Sequence, residues 1–202
     1  MGRSANIPKR KYFTVIAAST RLSLGQQTRI MGIVNTTPDS FSQDGCLRKC
    51  HDTPKAAISL AQKQIRDGAD IIDIGGESTR PGARRISAKE EIGRVIPVIT
   101  SLTKKIKVPI SIDTYKPLVA KAALDAGAGI VNNIMGSKPD VNLLKMIKNY
   151  NAAVVLMHIR GTPRTMQKNI RYRDLTAEIT ASLRKSIEKC LEIGIKSDRI
   201  II

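Results

Sequence analysis

The chain has 202 residues, of which 42% are hydrophobic and 25% are charged, a composition typical of a globular domain with one sizeable core. Its net charge of +17 favours anionic partners, but aromatic residues make up only 3% and Trp is absent, so the stacking surfaces of nucleic-acid-binding proteins are not predicted. Every apolar run is shorter than the roughly 18 residues that a membrane span needs. We therefore expect no nucleic acid and no membrane as partner, and favour a small diphosphate-bearing molecule.

The amino-terminal residues and the cysteines indicate a reducing compartment. The first ten residues lack the apolar segment of a secretory signal. Three residues separate Cys46 from Cys50, whereas haem attachment needs two, and no second pair of ligands completes a zinc site. Together with Cys190 these are too few cysteines for a disulfide framework, so we expect ordinary thiols and a cytoplasmic location.

Taken in chain order, the pattern begins with a small hairpin or irregular cap over residues 12–29, with its turn at 22–25. Short apolar runs then predict buried strands at 30–34, 70–74, 109–112, 129–132, 152–157 and 199–202. Helical patterns lie between them. The first begins at Pro54 and ends before Gly68, and the second begins at the capping box 87–90. The others cover 117–126, 141–150 and the apolar repeat from Leu175 to Leu191, which ends at Gly194.

Strict alternation of strand and helix predicts an α/β fold with a parallel sheet, as a doubly wound sheet or a (β/α)8 TIM barrel. No glycine-rich dinucleotide motif follows the first strand, and polar loops follow four successive strands, which together favour the barrel. A barrel takes about 250 residues, and the chain ends within its sixth predicted strand. We therefore expect a barrel truncated at about that strand, with residues 1–19 as an N-terminal extension and 20–202 as the barrel domain.

Polar and turn-forming residues follow the first two strands, where parallel folds place their chemistry. Asn35 ends the first strand, and its carboxamide is suited to a hard cation or a phosphate. The loop after it carries Asp39 and an unexpected Phe41. After the second strand, Thr79 offers a hydroxyl. Arg80 offers a guanidinium, which can bind a carboxylate or phosphate through two parallel hydrogen bonds.

Further polar residues occur within or at the end of the next strands. Asp73 lies inside the second strand, where an unpaired acid costs several kcal/mol, so it is either a structural hydrogen-bond hub or a residue at the base of the site. Asp113 and Asn132 end neighbouring strands, and a carboxylate beside a carboxamide suits recognition of a heterocycle, although Asp113 can also cap a helix. Met157 suits packing against a flat ring, while His158 is more often structural.

Five motifs in this order resemble the dihydropteroate synthase family, the folate-pathway enzymes that sulfonamides inhibit, and the resemblance covers about residues 20–202. The motifs are Met-Gly-Ile-Val-Asn-Thr-Thr-Pro-Asp-Ser-Phe at 31–41, the stretch 68–82 with Glu-Ser-Thr-Arg-Pro-Gly, Ser-Ile-Asp-Thr at 111–114, Val-Asn at 131–132 and the stretch 157–167. The family is a (β/α)8 barrel that joins 4-aminobenzoate to 6-hydroxymethyl-7,8-dihydropterin diphosphate and releases diphosphate.

The resemblance implies a role for each candidate residue. Asn35 would help to hold Mg²⁺ at the diphosphate, and Asp113 and Asn132 would bind the pterin ring, with Met157 as a further substrate contact. Asp39 would be the catalytic acid of the first loop. The residues implied for the aminobenzoate pocket on the first two loops are Phe41, Thr79 and, also with a catalytic role, Arg80.

The chain also departs from the family. Asp44 stands one place later than the usual acid of the first loop, and Asn133 replaces an Asp, which removes a charge that we expect beside the pterin site. The family's Asp-Pro-Gly stretch, its pterin-contacting lysine and its late Arg and His have no counterpart. We therefore expect little or no synthase activity from the 202 residues alone, and a homodimer when the chain is full length.

Two alternatives stay open. Another pterin-binding barrel, such as a methyltetrahydrofolate-dependent methyltransferase, shares the Asp and Asn pterin grip but is expected to lack the signatures of the first two loops. A non-catalytic pterin-binding protein would bind the ring without turnover.

Overall fold

The computed structural model describes residues 11–37, 54–78, 84–136, 138–162, 165–167 and 170–202. A hairpin of β1 and β2, Phe13–Ala17 and Thr20–Leu24, comes first. The strands that follow are β3 Met31–Asn35, β4 Ile71–Gly75, β5 Ile110–Asp113, β6 Ile130–Asn133, β7 Ala153–Leu156 and β8 Ile200–Ile201. The helices are α1 Pro54–Arg66, α2 Ala88–Thr103, α3 Pro117–Asp125, α4 Val141–Asn149 and α5 Leu175–Ile193, with a short 3₁₀ turn at Ser197–Arg199. The predicted strands and helices are thus confirmed, with small shifts at their ends.

The strand order shows which parallel fold the chain adopts. The sheet from β3 to β8 is parallel and keeps the order of the chain without a reversal. A doubly wound sheet reverses its strand order at one point, whereas a barrel does not. The described strands therefore form an arc of a β/α barrel, which confirms the predicted fold class.

Two apolar layers cover the two faces of this arc. Neighbouring residues of a strand point to opposite faces, so Ile72 packs with the helices while Ile71 lies in a second, inner cluster. The inner cluster joins the barrel interior to the hairpin. It contains Val15, Ala17, Leu22, Ile71, Ile130 and Ala153. Because Ile71, Ile130 and Ala153 begin their strands, the hairpin covers the amino-terminal end of the barrel, opposite the loops that carry the motifs.

The hairpin is confirmed, but its predicted turn at 22–25 is wrong. The turn lies at Ala18 and Ser19, where Ala18 has a positive φ of 51°. Leu22 belongs to β2 and is only 7% exposed, because its side chain fills the inner cluster. Gly25, with φ of 101°, ends β2 instead of forming the turn. The division into residues 1–19 and 20–202, which stays a prediction, falls at this turn.

The helix ends follow the signals in the sequence. The Ser87 hydroxyl accepts a hydrogen bond of 3.1 Å from the backbone N–H of Glu90, so the predicted N-cap of α2 is present. Gly194 ends α5 in the left-handed conformation, with φ of 92°. Within the described ranges, none of the helices is both long and apolar enough to cross a bilayer.

Two glycines near α2 provide a matched test of this packing. A Cβ on Gly76 would lie 2.8 Å from both Glu91 Cγ and Val95 Cγ1, so we expect Gly76→Ala to destabilise the fold by about 1–3 kcal/mol. Gly93 is exposed, and no described heavy atom lies within 4 Å of the place that a Cβ would take, so Gly93→Ala should stabilise by about 0.5–1 kcal/mol. Urea unfolding of both variants measures the difference. Equal effects of the two substitutions would contradict the packing described.

Candidate active site

A polar row crosses the carboxyl ends of four neighbouring strands. Asn35 pairs in register with Gly75, Gly75 with Asp113, and Asp113 with Asn132. Residues in register on parallel neighbours point to the same face of a sheet, and alternate residues of a strand share that face. Earlier in the same strands this face carries Ile71 and Ile130 of the inner cluster. The three polar side chains therefore share the mouth of the barrel, where β/α barrels bind their ligands.

Gly75 lets two of these side chains approach its backbone closely. A Cβ at this position would lie 3.1 Å from Asn35 Oδ1 and 3.6 Å from Asp113 Oδ2. Any side chain at position 75 would therefore crowd the Asn35 amide and contact the Asp113 carboxylate. The glycine that the sequence places after the second strand is explained by this close approach.

One layer deeper, Asp73 supports the row. It lies in register with Ser111 and is only 3% exposed. Asn132 Nδ2 donates a hydrogen bond of 2.9 Å to Asp73 Oδ2. The sequence left two interpretations of Asp73 open, a structural hydrogen-bond hub and a residue at the base of the site. The structure agrees with both, because Asp73 faces the interior at the base of the site and accepts a hydrogen bond there.

The electrostatics of the site centre on Asp113. Burial, together with the charges of Asp73, Glu91 and Glu77, raises the pKa of Asp113 to about 7. Burial also raises the pKa of Asp73, and the nearby Ser111 hydroxyl and the Asn132 amide oppose that rise. Asp113 is therefore close to half-ionised at neutral pH. A ligand that donates hydrogen bonds to both carboxylate oxygens would favour its charged form.

A buried ionic network, which the sequence did not predict, lies beside the row. Lys116 Nζ donates to Glu77 Oε2 at 2.5 Å, to Glu91 Oε2 at 2.6 Å and to the Ile86 carbonyl at 2.8 Å, which uses all three of its protons. The Tyr115 hydroxyl donates to Glu77 Oε1 at 2.8 Å. The side chains of Glu77 and Glu91 are only 9% and 1% exposed. We call Glu77, Glu91 and Lys116 the ionic triad.

The ionic triad connects two parts of the barrel mouth. Burial alone would raise the pKa of Glu77, but Lys116, Tyr115 and the Ile86 N–H together hold it below its ordinary value. Lys116 belongs to the connection after β5, whereas Glu77 and Ile86 belong to the connection between β4 and α2. The segment that carries Asp113 is thereby tied to two points of the connection between β4 and α2, near its two ends. No local pattern in the sequence pointed to this partner, because Glu77 and Glu91 each have cations nearby in the chain, such as Arg80 and Arg94.

The remaining described residues of the prediction lie close to the mouth or behind it. Met157 directly follows β7 and is 39% exposed. His158 Nε2 lies 3.0 Å from the Tyr172 hydroxyl, which fits a structural role. The expectation that Asn133 removes a charge beside the pterin site is wrong, because Asn133 pairs with Leu156 on the helix-facing side and is 1% exposed. Its side-chain oxygen accepts a hydrogen bond from the Met135 N–H.

Several predicted residues lie outside the described part of the chain. They are Asp39, Phe41, Asp44, Thr79 and Arg80. Among the described residues, no group of three or more His, Cys, Asp or Glu side chains is arranged to hold a metal ion. The role of Asn35 as a magnesium ligand stays a prediction.

Comparison with known proteins identifies related sequences over most of the chain. Residues 31–202 match the family model described as pterin binding enzyme. A dihydropteroate synthase of Synechocystis is 43% identical over 183 residues, covering 91% of this chain and 62% of the relative. The chain spans about three fifths of the length of the curated relatives that it matches first, between 60% and 64%.

Solved structures show the same similarity in three dimensions. A Yersinia pestis dihydropteroate synthase in complex with a sulfonamide drug superposes with a TM-score of 0.84 at 37% identity, covering 93% of this chain and 66% of that one. The Xanthomonas albilineans enzyme with 4-aminobenzoic acid gives a TM-score of 0.81 at 38% identity, covering 94% and 65%.

Proposed function

Because the chain belongs to the pterin-binding enzyme family, we propose that it provides the pterin-binding part of a dihydropteroate synthase. The proposed reaction joins 4-aminobenzoate to 6-hydroxymethyl-7,8-dihydropterin diphosphate and forms 7,8-dihydropteroate and diphosphate. The observation that carries this proposal is the pairing of Asp113 with Asn132 at neighbouring strand ends, above the buried Asp73. A carboxylate beside a carboxamide matches the donors and acceptors along the edge of a pterin.

In this proposal the pterin lies in the mouth of the barrel. Ionised Asp113 accepts hydrogen bonds from the amino group and a ring N–H, while Asn132 offers its amide oxygen. Met157, which is 39% exposed after β7, packs against a face of the ring. Asp73 lies below them and accepts the hydrogen bond from Asn132 Nδ2.

The diphosphate end of the substrate would lie near Asn35. This carboxamide is exposed at the end of β3, and the missing side chain of Gly75 leaves its oxygen uncrowded. One neutral oxygen ligand fits Mg²⁺, which usually binds through few protein groups together with water and substrate phosphates. When bound, Mg²⁺ would neutralise charge on the departing diphosphate.

The bond changes need no protein nucleophile. The amine nitrogen of 4-aminobenzoate bonds to the pterin methylene carbon, the carbon–oxygen bond to diphosphate breaks with its electron pair, and one amine proton is released. We propose that Asp39 stabilises positive charge on the pterin. We assign the aminobenzoate pocket to Phe41, Thr79 and Arg80, following the family resemblance of their motifs.

The wider setting follows the same family. We propose a cytoplasmic enzyme that acts as a homodimer when full length and that sulfonamides inhibit at the aminobenzoate pocket. The Yersinia pestis structure, which contains a sulfonamide drug, supports the proposal that sulfonamides bind this enzyme. Cys190, a free and buried thiol in α5, is compatible with a reducing compartment.

A graft tests the proposed function. Residues 31–202 replace the matching region of the Synechocystis relative, and formation of 7,8-dihydropteroate is measured with both substrates and Mg²⁺. We expect product from the graft, none from the same graft with Asp113→Asn, and little or none from the 202 residues assayed alone. A folded graft without product, or ordinary turnover by the 202 residues alone, would contradict the proposal.

A further inference from the structure

The side chain of Asn132 has a direction that its environment imposes. A carboxamide has one end that accepts hydrogen bonds and one that donates them, and both ends have nearly the same shape. In this barrel Asn132 Nδ2 donates to Asp73 Oδ2 at 2.9 Å. The Asp73 oxygen accepts this hydrogen bond, so the nitrogen end of the amide faces Asp73. The oxygen end is then left for the mouth of the barrel.

Asp73 is a costly residue for this position, which indicates a role beyond filling space. It is 3% exposed, and its second oxygen, Oδ1, has no hydrogen-bond partner within 3.5 Å among the described residues, although the Ser111 hydroxyl is near enough to lower the pKa of this carboxyl. It also lies near Asp113, and repulsion between the two negative charges raises the pKa of Asp113. An asparagine at position 73 would fill the same volume without a buried charge. That asparagine, however, could accept from Asn132 as readily as donate to it, so the direction of the Asn132 amide would no longer be determined.

We propose that Asp73 is a positioning residue that fixes the direction of the Asn132 amide, so that the site selects heterocycles presenting a hydrogen-bond donor to its oxygen. This inference rests on the proposed function, since it assumes that the ligand is a pterin-like ring. It adds a source of selectivity that touches no ligand itself. Asp113 supplies acceptors directly, whereas Asp73 acts only through Asn132.

The selectivity can be measured with two rings of the same size. Pterin carries an amino group beside a ring nitrogen with a free lone pair, whereas lumazine carries an oxygen there beside a ring N–H, so the donor and the acceptor at this edge exchange places. With the Asn132 oxygen directed to the mouth, the pterin amino group can donate a hydrogen bond to it, so pterin binds more tightly. The lumazine oxygen would face the Asn132 oxygen, and two acceptors repel each other. If the amide turns, its N–H groups meet the lumazine oxygen and the preference is reduced.

The test compares dissociation constants of pterin and lumazine for the 202-residue chain at pH 8, by quenching of ligand fluorescence. We expect Asp73→Asn to reduce the ratio of the lumazine constant to the pterin constant by about tenfold, the effect of one directed hydrogen bond. Asn133→Asp is the matched control. It exchanges an amide for a carboxyl group, the reverse of Asp73→Asn, at the residue that follows Asn132 in β6 and faces the helices. Its ratio should stay at the wild-type value.

A purely structural role of Asp73 predicts a different result. Loosening of the site would weaken both ligands by the same factor and leave the ratio unchanged, and that outcome overturns the inference. Thermal unfolding of each variant, followed by circular dichroism, shows whether it is folded at the assay temperature.

A second measurement is independent of ligand binding. The side-chain NH₂ resonances of ¹⁵N-labelled Asn132 are compared between the wild-type chain and Asp73→Asn without ligand. A shift in the variant indicates loss of the hydrogen bond to a carboxylate, and unchanged resonances overturn the inference. If the wild-type chain binds neither ring, the proposed function fails for these 202 residues, while the resonances still decide whether Asp73 directs Asn132.

Discussion

Replacing Asp113 by Asn is expected to abolish tight pterin binding and at the same time to make the folded chain more stable at neutral pH. The carboxylate is the only group in the row that can accept two hydrogen bonds with a full negative charge, since Asn35 and Asn132 are neutral. Hydrogen bonds to a charged group contribute about 1.5–3 kcal/mol each, so we expect a loss of at least about 100-fold in affinity. Asp113→Asn keeps the shape of the side chain, so the loss reports on charge.

The expected gain in stability follows from the direction of the pKa shift. The pKa of Asp113 is about 7 in the folded chain, against 3.8 for an unperturbed Asp. Between these values the folded state binds more protons than the unfolded state, so the stability of the wild type decreases as pH rises through this window. Each pKa unit corresponds to about 1.4 kcal/mol. Since Asp113 keeps some contact with solvent, we expect Asp113→Asn to gain about 1–2 kcal/mol at pH 8 and nothing at pH 3.

Pterin affinity of the wild type should increase as pH rises, whereas its stability decreases. The free chain must lose the proton of Asp113 before the carboxylate can accept from the ring. Because its pKa is about 7, affinity should rise about tenfold per pH unit below pH 7 and level off above about pH 8. Titration calorimetry from pH 5.5 to 8.5 measures the binding, and urea unfolding measures the stability. If Asp113→Asn binds pterin as tightly as the wild type at pH 8, another residue holds the ring.

Removal of the Lys116 ammonium is expected to cause a large loss of stability. Lys116→Met leaves Glu77 and Glu91 buried without their cation, at side-chain exposures of 9% and 1%. Breaking a buried ion pair by removing one partner costs about 3–5 kcal/mol. The loss should become smaller as pH falls toward 5, because the two stranded carboxyl groups then take up protons in the folded state.

A control and a rescue separate this effect from a general loss of charge. Lys121 forms an exposed pair with Asp125 at 2.7 Å, so Lys121→Met should leave the stability almost unchanged. Combining Lys116→Met with Glu77→Gln and Glu91→Gln removes all three charges and should recover much of the stability. Urea unfolding at pH 8 and pH 5 measures all variants. If Lys116→Met costs no more than Lys121→Met, the ionic triad does not stabilise the barrel mouth.

Much of the fold could be predicted because the signals that determine it are local. The apolar run 71–74 and the run 130–131 contain their own evidence for strands, and the Ser87 cap and Gly194 mark helix ends through hydrogen bonds within a few residues. The hairpin turn was placed wrongly because Gly25 is a strong turn former, whereas burial of Leu22 in the inner cluster decides where β2 lies. That burial depends on residues far away in the chain.

The amino-acid sequence by itself determined the order of strands and helices and the class of fold. It also determined three residues of the mouth, Asn35, Asp113 and Asn132, because strand ends in a parallel sheet necessarily meet at one edge. Which polar groups touch there depended on the folded chain. Lys116 reaches Glu77 across 39 positions and Glu91 across 25, and Asn132 reaches Asp73 across 59. The opposite orientations of Asn132 and Asn133 likewise depend on register. Pairing over such distances is set by register and packing, which no local pattern encodes, so the ionic triad and the direction of the Asn132 amide became visible only in the tertiary structure.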